Sequence, residues 1–271
     1  MLSTTRKECI KRLNNLQSNY ATLVQQEQQH LSPLAKFAHQ RKLIKKLDEG
    51  RVYERLRHVP IIHVAGTKGK GSTCAFIESL CRSAGLKTGF FSSPHLVSVT
   101  ERIRVNGTPI DQAEFASIFE ATHRQLAESE RPAYFAFLAL MAYKAFVEAE
   151  VEVMVMEVGI GGAFCATNVY PPFEGGANGR ISCISALGYD HTNILGSTIE
   201  QIAANKCGII HPFTDHLFVQ NQSIKAALPV ITKSAAIASC HPIMCSGRDL
   251  PSGAKLGLCG ELFLANIFHL P

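Results

Sequence analysis

Residues 59–76 read VPIIHVAGTKGKGSTCAF, and three kinds of local structure follow one another in this stretch. Residues 59–65 are apolar and rich in β-branched side chains, which predicts a buried strand. Residues 66–72 contain three glycines and two lysines, which predicts a tight loop. Residues 73–84 have helical spacing and end before Gly85, a residue type that commonly follows a helix. The stretch therefore predicts a strand, a glycine-rich loop and a helix in direct succession.

A glycine-rich loop in this context is typical of a site for phosphate groups. Its backbone N–H groups can converge on phosphate oxygens, and the following helix N-terminus adds a partial positive charge. We predict that Lys70 reaches the β- and γ-phosphates and that Ser72 or Thr73 adds a hydroxyl. The spacing departs from GxxxxGK[ST], because Gly71 separates Lys70 from Ser72 and Val64 replaces the first glycine. The alternative, a glycine turn with two surface lysines, leaves two like charges crowded without an anion.

Outward from this stretch the chain alternates between strands and helices. Further strands are predicted at residues 87–91, 101–105, 151–158, 181–187 and 217–219, and helices at 111–129, 134–149, 197–207 and 223–238. The segments at 151–158 and 181–187 are apolar on both faces, which is typical of strands covered by helices above and below. We therefore expect an α/β fold with a doubly wound, mostly parallel sheet of the P-loop type, flanked by helices.

Polar residues at the carboxyl ends of three further strands are candidate ligands, because ligands bind at that edge of an open α/β sheet. Ser93 follows the strand at 87–91, Glu157 closes the strand at 151–158, and His191 follows the strand at 181–187. For Glu157, Mg²⁺ beside phosphates is favoured over a salt bridge to a Lys or Arg, since a buried carboxylate needs a cation. Taken alone, Ser93 is typical of a polar turn and His191 of a capped turn, so both assignments depend on the shared edge.

Composition and charge exclude several classes of protein. The chain has 271 residues, of which 46% are hydrophobic and 18% charged, so disorder, collagen and coiled coil are excluded. No apolar run approaches the roughly 20 residues that span a bilayer. Nine cysteines without a CxxC pair indicate reduced thiols, and no secretory signal is visible, so we expect a cytoplasmic protein. A mitochondrial form is the alternative.

The net charge is +9 over residues 1–70 and −4 over the remainder. The basic third indicates either an anionic partner or a solvated basic helix. Aromatic residues are not interleaved with the basic ones, so we expect no nucleic-acid partner.

Five segments, taken in order, resemble the folylpolyglutamate synthases, members of the Mur ligase-like ATP-dependent amide ligases. They are HVAGTKGKGSTCAF (63–76), TGFFSSPHLVSVTERIRVNG (88–107), MEVGIGG with the later Thr-Asn pair (156–168), LGYDH with the later ILG (187–196) and the IAxxK helix (202–206). The resemblance runs from about Cys9 to about Glu261. It implies the central-domain fold of the Mur ligases. Separately, we expect a monomer without a membrane partner.

The resemblance also implies a reaction and a set of site residues. ATP and Mg²⁺ would activate the γ-carboxylate of a reduced folate as an acyl phosphate, which the amine of L-glutamate then displaces. The implied ATP-binding residues are Gly66, Thr67, Gly69, Lys70, Gly71, Ser72 and Thr73, and the implied magnesium ligands are Ser93, Glu157 and His191. Lys206 matches a lysine that is carbamylated in some members. From the residues alone, Lys206 is either a second charge for the phosphates or a complement to its helix dipole. Lys70, Lys206 and His191 are thus the expected catalytic residues.

Two departures from the family pattern bear on activity. Cys165 stands where an aspartate is expected, and a neutral thiol cannot supply the charge of a carboxylate. The second departure is at the C-terminus, where we expect a divergent tail at 262–271 in place of a glutamate-binding domain. Before it, we expect an N-terminal helical segment at 1–50 and an ATP-binding ligase domain at 51–261. A nucleotide-binding domain without ligase activity is the alternative function. A Mur-type ligase for a wall precursor is disfavoured by the segment at 92–107.

Overall fold

The computed structural model describes residues 6–16, 33–169 and 179–246. The strands are β1 (Ile61–Ala65), β2 (Thr88–Phe91), β3 (Ile103–Val105), β4 (Thr108–Pro109), β5 (Val153–Glu157), β6 (Arg180–Ile184), β7 (His216–Gln220) and β8 (Pro242–Cys245). They form one sheet in the order β4-β3-β2-β5-β1-β6-β7-β8. Strand β3 is antiparallel to β2 and to β4, and all other neighbours are parallel. The expected doubly wound, mostly parallel sheet is confirmed.

Helices cover both faces of the sheet. They are α1 (Arg6–Asn14), α2 (Pro33–Lys46), α3 (Arg51–Leu56), α4 (Lys70–Ser83), α5 (Gln112–Gln125), α6 (Tyr134–Glu148), α7 (Thr192–Leu195), α8 (Ile199–Lys206) and α9 (Ala227–Ile237). Successive residues of a strand point to opposite faces. Met154 and Met156 of β5 therefore share a core with α6, whereas Val153 and Val155 pack with Cys74 of α4.

The N-terminal helices contribute to the larger of these cores. Leu13 of α1 and Leu43 of α2 are fully buried in the same cluster as Phe137 of α6. The division of the chain at residue 50 stays a prediction. The tail at 262–271 lies outside the described residues. No helix within the described residues has both the length and the apolar character needed to cross a bilayer.

Several element boundaries differ from those expected. Helix α4 begins at Lys70 rather than at residue 73, because Gly69 takes a left-handed φ of 83° and turns the chain into the helix. Helix α5 ends at Gln125 rather than near 129. Its predicted cap is present, since the Asp111 carboxylate accepts the N–H groups of Ala113 and Glu114.

The cap of α8 lies one residue later than the pattern at 197–200 predicts. Thr198 and Gln201 form the capping box, each side chain accepting the other's backbone N–H. This register buries Ile199 against the sheet. Strand β8 was not predicted. It begins with a proline and is only partly buried, so its sequence lacks a long apolar run.

Candidate functional site

Four neighbouring strands bring the predicted site residues to one edge of the sheet. Strands β2, β5, β1 and β6 are adjacent and parallel, so their carboxyl ends lie together. The glycine-rich loop follows β1, Ser93 follows β2, Glu157 ends β5, and His191 lies beyond β6. Ligands of open α/β sheets bind in the crevice at this edge.

The glycine-rich loop is held in place by the end of β6. The N–H groups of Thr67 and Lys68 both donate to the carbonyl oxygen of Ala186, at 2.8 and 3.2 Å. The Ser185 hydroxyl donates to the Lys68 carbonyl at 2.9 Å. A Cβ atom on Gly66 would lie 1.9 Å from that hydroxyl oxygen, and the φ of Gly66 is +156°. Only glycine fits at residue 66, and the protein itself fixes the loop conformation.

Helix α4 begins inside this loop. The Thr73 N–H donates to the Gly69 carbonyl at 2.9 Å, which closes the first helical turn. The N–H groups of residues 70–72 lie within that turn, where the helix itself supplies no acceptor, and they carry the positive end of a 14-residue helix dipole. The Lys70 Nζ atom makes one long hydrogen bond, 3.4 Å, to the Thr67 carbonyl. The N-terminus of α4 and Lys70 therefore form a positively charged corner that suits an anion.

A cavity of about 840 Å³ adjoins this corner. Its wall includes the predicted site residues Lys70, Ser93 and His191, together with the aromatic rings of Phe135 and Phe164. The other implied ATP-binding residues do not line the cavity and adjoin it through Lys70. They are Gly66, Thr67, Gly69, Gly71, Ser72 and Thr73. The structure thus combines a charged corner with an apolar recess.

Glu157 is buried beside this cavity, with 4% of its surface exposed. Its Oε2 atom accepts the Ser93 N–H at 2.9 Å, and a Cβ on Gly71 would lie 3.3 Å from the same oxygen. Burial raises the pKa of the Glu157 carboxyl, and the Ser93 N–H and the charges of Lys70 and Arg102 only partly offset this effect. The carboxylate therefore lies between the loop helix and β2 in a place that favours a cation. Within the described residues, Glu157 makes no salt bridge, so the alternative of an ion pair with a Lys or Arg is not observed.

His191 lies at the mouth of the same cavity. It takes a left-handed φ of 48° and precedes α7. Its side chain is 42% exposed, and its Nε2 atom lies 3.7 Å from Asp190 Oδ2.

The donor set at this edge fits Mg²⁺. Within the described ranges, no three His, Cys, Asp or Glu side chains could hold a metal by themselves. Mg²⁺ does not need such a group, since it keeps several waters and takes phosphate oxygens as ligands. The buried Glu157 carboxylate and the Ser93 hydroxyl are oxygen donors of the kind this ion prefers. The exposed His191 imidazole suits contact through a water better than direct ligation.

Lys206 lies beneath the glycine-rich loop rather than in the cavity wall. Its Nζ atom donates to the Gly66 carbonyl at 2.7 Å, and only 3% of the residue is exposed. Burial and the charge of Lys70 lower the pKa of Lys206 to about 8, with Asp190 and Cys165 acting in the opposite direction. Lys70 therefore faces the cavity, whereas Lys206 contacts the loop from its buried side.

Cys165 lines the cavity at a mostly buried position. Its Sγ atom accepts the Gly159 N–H at 3.4 Å and lies 3.1 Å from Thr167 Oγ1. A carboxylate at residue 165 would have the Gly159 N–H and the Thr167 hydroxyl within reach as donors, and it would add a negative charge close to Lys206.

Comparison with known proteins identifies the family. The mitochondrial folylpolyglutamate synthase of Cricetulus griseus is 42% identical over 266 residues, which covers 94% of this chain and 43% of that protein. The corresponding protein of Homo sapiens is 41% identical with the same coverage. The chain belongs to the folylpolyglutamate synthase family. No family model matches the chain.

Solved structures of folylpolyglutamate synthases have the same fold. A complex described as FPGS with AMPPCP and folate matches with a TM-score of 0.70 at 25% identity, covering 89% of this chain and 54% of that one. E. coli FolC in complex with DHPP and ADP matches with a TM-score of 0.71 at 26% identity, covering 89% and 51%. The chain therefore spans about half the length of the proteins it matches.

Arg102 is a cavity residue that sequence reasoning missed. It lies within the segment at 88–107 that carries the resemblance to the folylpolyglutamate synthases, and no role was predicted for it. Asn205 was missed as well, although it precedes Lys206. The Asn205 side chain accepts the Gly162 N–H at 3.1 Å and its carbonyl accepts the Ala163 N–H at 2.8 Å, which holds the glycine segment after β5.

Among the described residues, the basic segment before β1 contributes little charge to this cavity. Of the described residues before β1, only His39 and Gln40 line it. Lys42 and Lys46 lie 3.4 and 2.5 Å from the Glu130 carboxylate. These contacts favour the interpretation of the segment as a solvated basic face.

Proposed function

We propose that this chain carries the ATP-binding half of a ligase that joins L-glutamate to a reduced folate. The observation that carries the proposal is the meeting of the loop, Lys70, Ser93, Glu157 and His191 at one sheet edge beside an 840 Å³ cavity. Relatives named folylpolyglutamate synthase, and a related structure with AMPPCP and folate, support the choice of ligands.

The nucleotide part of the proposal rests on the loop and α4. The N–H groups of residues 66–72 bind the triphosphate, and Lys70 neutralises its β- and γ-oxygens. The backbone approaches the phosphates closely at Gly66, Thr67, Gly69 and Gly71, and Ser72 and Thr73 add hydroxyl groups. Lys206 keeps the Gly66 peptide in place from below, at 2.7 Å.

The metal part rests on Glu157 and Ser93, with His191 acting at the mouth. These residues would hold Mg²⁺ between themselves and the phosphate oxygens, and the ion would supply charge neutralisation during phosphoryl transfer. The buried Glu157 carboxylate contributes the one negative protein charge of this set.

The reaction that fits these residues proceeds in two displacements. An oxygen of the acceptor carboxylate attacks the γ-phosphorus, the bond to the β-phosphate oxygen breaks, and ADP leaves. The glutamate amine nitrogen then attacks the acyl carbon, inorganic phosphate leaves, and the amine releases a proton as the amide forms. No covalent enzyme intermediate is required, so the chain's residues act by positioning and by charge.

A second candidate is a nucleotide-binding domain without ligase turnover. Cys165 favours it, because a thiol replaces the expected carboxylate at a buried position in the cavity wall. This candidate keeps the MgATP site and loses the transfer of glutamate.

The deciding experiment follows ATP-dependent transfer of labelled glutamate to tetrahydrofolate by this chain, alongside calorimetry with MgATP. Product formation supports the ligase. MgATP binding without product supports the second candidate, and no heat of MgATP binding in a folded sample contradicts both. Comparison with wall-precursor acceptors tests the disfavoured Mur-type activity.

We further propose a monomeric protein in the cytoplasm, with a mitochondrial form as the alternative, that binds neither nucleic acid nor membrane. Sedimentation and cell fractionation test these points. The division into segments at 1–50, 51–261 and 262–271 is likewise a proposal, which limited proteolysis tests.

A further inference from the structure

Arg102 presents a guanidinium group to the same cavity as Lys70 and Ser93. It is the last residue of a short 3₁₀ turn, Val99–Arg102, which connects the polar segment after β2 to β3. The carbonyl oxygen of Arg102 accepts the Ser92 N–H at 3.1 Å. The backbone of Arg102 is therefore tied directly to the segment that carries Ser93.

The turn before Arg102 is made rigid by one carboxylate. Glu101 accepts the backbone N–H groups of Leu96, Val97 and Ser98, at 2.9, 3.0 and 2.6 Å. Ser98 in turn caps the 3₁₀ turn, which completes a capping box. Arg102 thus projects from a segment whose conformation does not depend on a ligand.

The guanidinium itself is oriented by two side chains. Its Nε atom donates to His95 Nδ1 at 2.9 Å, and its central carbon lies 5.5 Å from the centre of the Tyr134 ring. These contacts use the Nε–H and one face of the group. Within the described residues, the two terminal nitrogens make no hydrogen bond and no ion pair. The other cavity arginine, Arg131, uses one terminal nitrogen to donate to the His123 carbonyl at 3.3 Å.

A planar pair of N–H donors fixed in this way matches a carboxylate, which it can bind with two parallel hydrogen bonds. The groups proposed to bind the phosphates are already present elsewhere, in the loop, the N-terminus of α4 and Lys70. The rest of the cavity wall, with Phe135, Phe164 and Val169, suits the aromatic body of a larger molecule.

We propose that Arg102 binds the reacting carboxylate of the acceptor substrate through its terminal nitrogens and holds it beside the positively charged corner formed by Lys70 and the N-terminus of α4. The assignment rests on the proposed function, since that function supplies the acceptor. In the first displacement, the carboxylate oxygen that is not used for attack stays on Arg102 while the other forms the bond to phosphorus. Arg102 is thus a substrate-binding residue for the acceptor and not for ATP.

The test compares the binding of folate with that of its γ-amide, which keeps the aromatic body and loses the reacting charge. Calorimetry is done on the whole chain and on Arg102→Met, Arg102→Lys and Arg104→Met. Arg104 is a matched control, because its Nε donates to the Glu101 carbonyl and its guanidinium lies over Phe90. Arg102→Gln serves as a second variant if Arg102→Met does not fold by circular dichroism.

We expect the wild-type chain to bind folate about 10- to 100-fold more tightly than the γ-amide, as charge-assisted hydrogen bonds of this kind provide. Arg102→Met loses this preference with MgATP affinity unchanged, Arg102→Lys keeps part of it, and Arg104→Met keeps all of it. A preference that survives Arg102→Met, the lack of any preference in the wild-type chain, or an equal loss of MgATP affinity overturns the assignment. Failure of the proposed ligase is distinguishable, because it appears as missing MgATP binding or glutamate transfer with the folate preference intact.

Discussion

The Nζ atom of Lys206 lies 2.7 Å from the backbone carbonyl oxygen of Gly66, although the two residues are 140 positions apart in the chain. One is the first residue of the glycine-rich loop, and the other is the last residue of α8. This placement removes the ammonium group from solvent, and the loss of solvation lowers its pKa. The lowered pKa gives the first prediction.

Replacing Lys206 with methionine should change how stability depends on pH. The pKa of Lys206 is about 8 in the folded chain and 10.5 ordinarily. Between these values the unfolded chain holds the proton more tightly, so the wild type gains stability as pH rises, by about 1.4 kcal/mol per pH unit. Urea unfolding across this range should show that gain in the wild type and not in Lys206→Met. The exposed Lys225→Met is the control, and curves for Lys206→Met that run parallel to wild type would contradict the lowered pKa.

Replacing Lys70 with alanine should weaken MgATP binding and leave the fold intact. The side chain lines the cavity and makes one long hydrogen bond of its own, so its loss costs the folded chain little. Loss of a charged donor to phosphate is worth roughly 1.5–3 kcal/mol, or about 10- to 100-fold in affinity, and glutamate transfer should cease. Calorimetry and thermal unfolding check this, with the exposed Lys68→Ala as the control two residues away. Equal affinities for both variants would remove Lys70 from the nucleotide site.

Replacing Glu157 with glutamine should stabilise the metal-free chain at neutral pH and remove its response to magnesium. The pKa of Glu157 is raised by burial, so the folded chain holds this proton more tightly than the unfolded chain does. Stability is therefore lost as pH rises from the ordinary value of 4.5 through the raised one, and glutamine avoids the loss. Thermal unfolding with and without MgCl₂ and a non-hydrolysable ATP analogue measures both effects. Glu152→Gln, at the opposite edge, should respond to magnesium as the wild type does. A magnesium response that persists in Glu157→Gln would exclude this carboxylate as a ligand.

Replacing Cys165 with aspartate should raise glutamate transfer, by about tenfold or more if the missing charge limits turnover. The new carboxylate accepts the Gly159 N–H and the Thr167 hydroxyl that the thiol contacts at present. It should also raise the pKa of Lys206, because a nearby negative charge favours the ammonium form. The matched control is Cys165→Ser, which keeps the shape and adds no charge. Equal transfer rates for the two variants would show that charge at residue 165 is not what limits the reaction.

Replacing His211 with glutamine should flatten the loss of stability in acid. Burial and the Arg180 charge lower the pKa of His211 to about 3, from an ordinary 6.5. As pH falls through this window the unfolded chain takes up the proton, so the folded chain loses up to about 1.4 kcal/mol per pH unit. Glutamine can still donate to Asn168 Oδ1, which the imidazole contacts at 2.7 Å. Urea unfolding at several acid pH values checks this against the exposed His216→Gln. A residual slope is expected from the fully buried His63, and an unchanged slope would contradict the assignment to His211.

Local features of the fold followed from the sequence because short-range physics decides them. Asn106 and Gly107 both take positive φ, as the tight turn between β3 and β4 requires. The Asp111 cap and the apolar strands β1 and β5 depend on neighbours within a few residues. The family motifs also indicated which strand ends carry Ser93, Glu157 and His191, since parallel strands share one edge.

The tertiary structure decided which distant groups meet and in what electrostatic setting. No pattern in the sequence predicts the hydrogen bond from Lys206 to Gly66, and none predicts the ion pairs of Lys42 and Lys46 with Glu130. Strand β8 and the orientation of Arg102 likewise depend on packing between elements far apart in the chain. The reason is physical: periodicity and capping are set over a few residues, whereas charge pairing, burial and the resulting pKa values depend on the dielectric surroundings that only the folded chain creates.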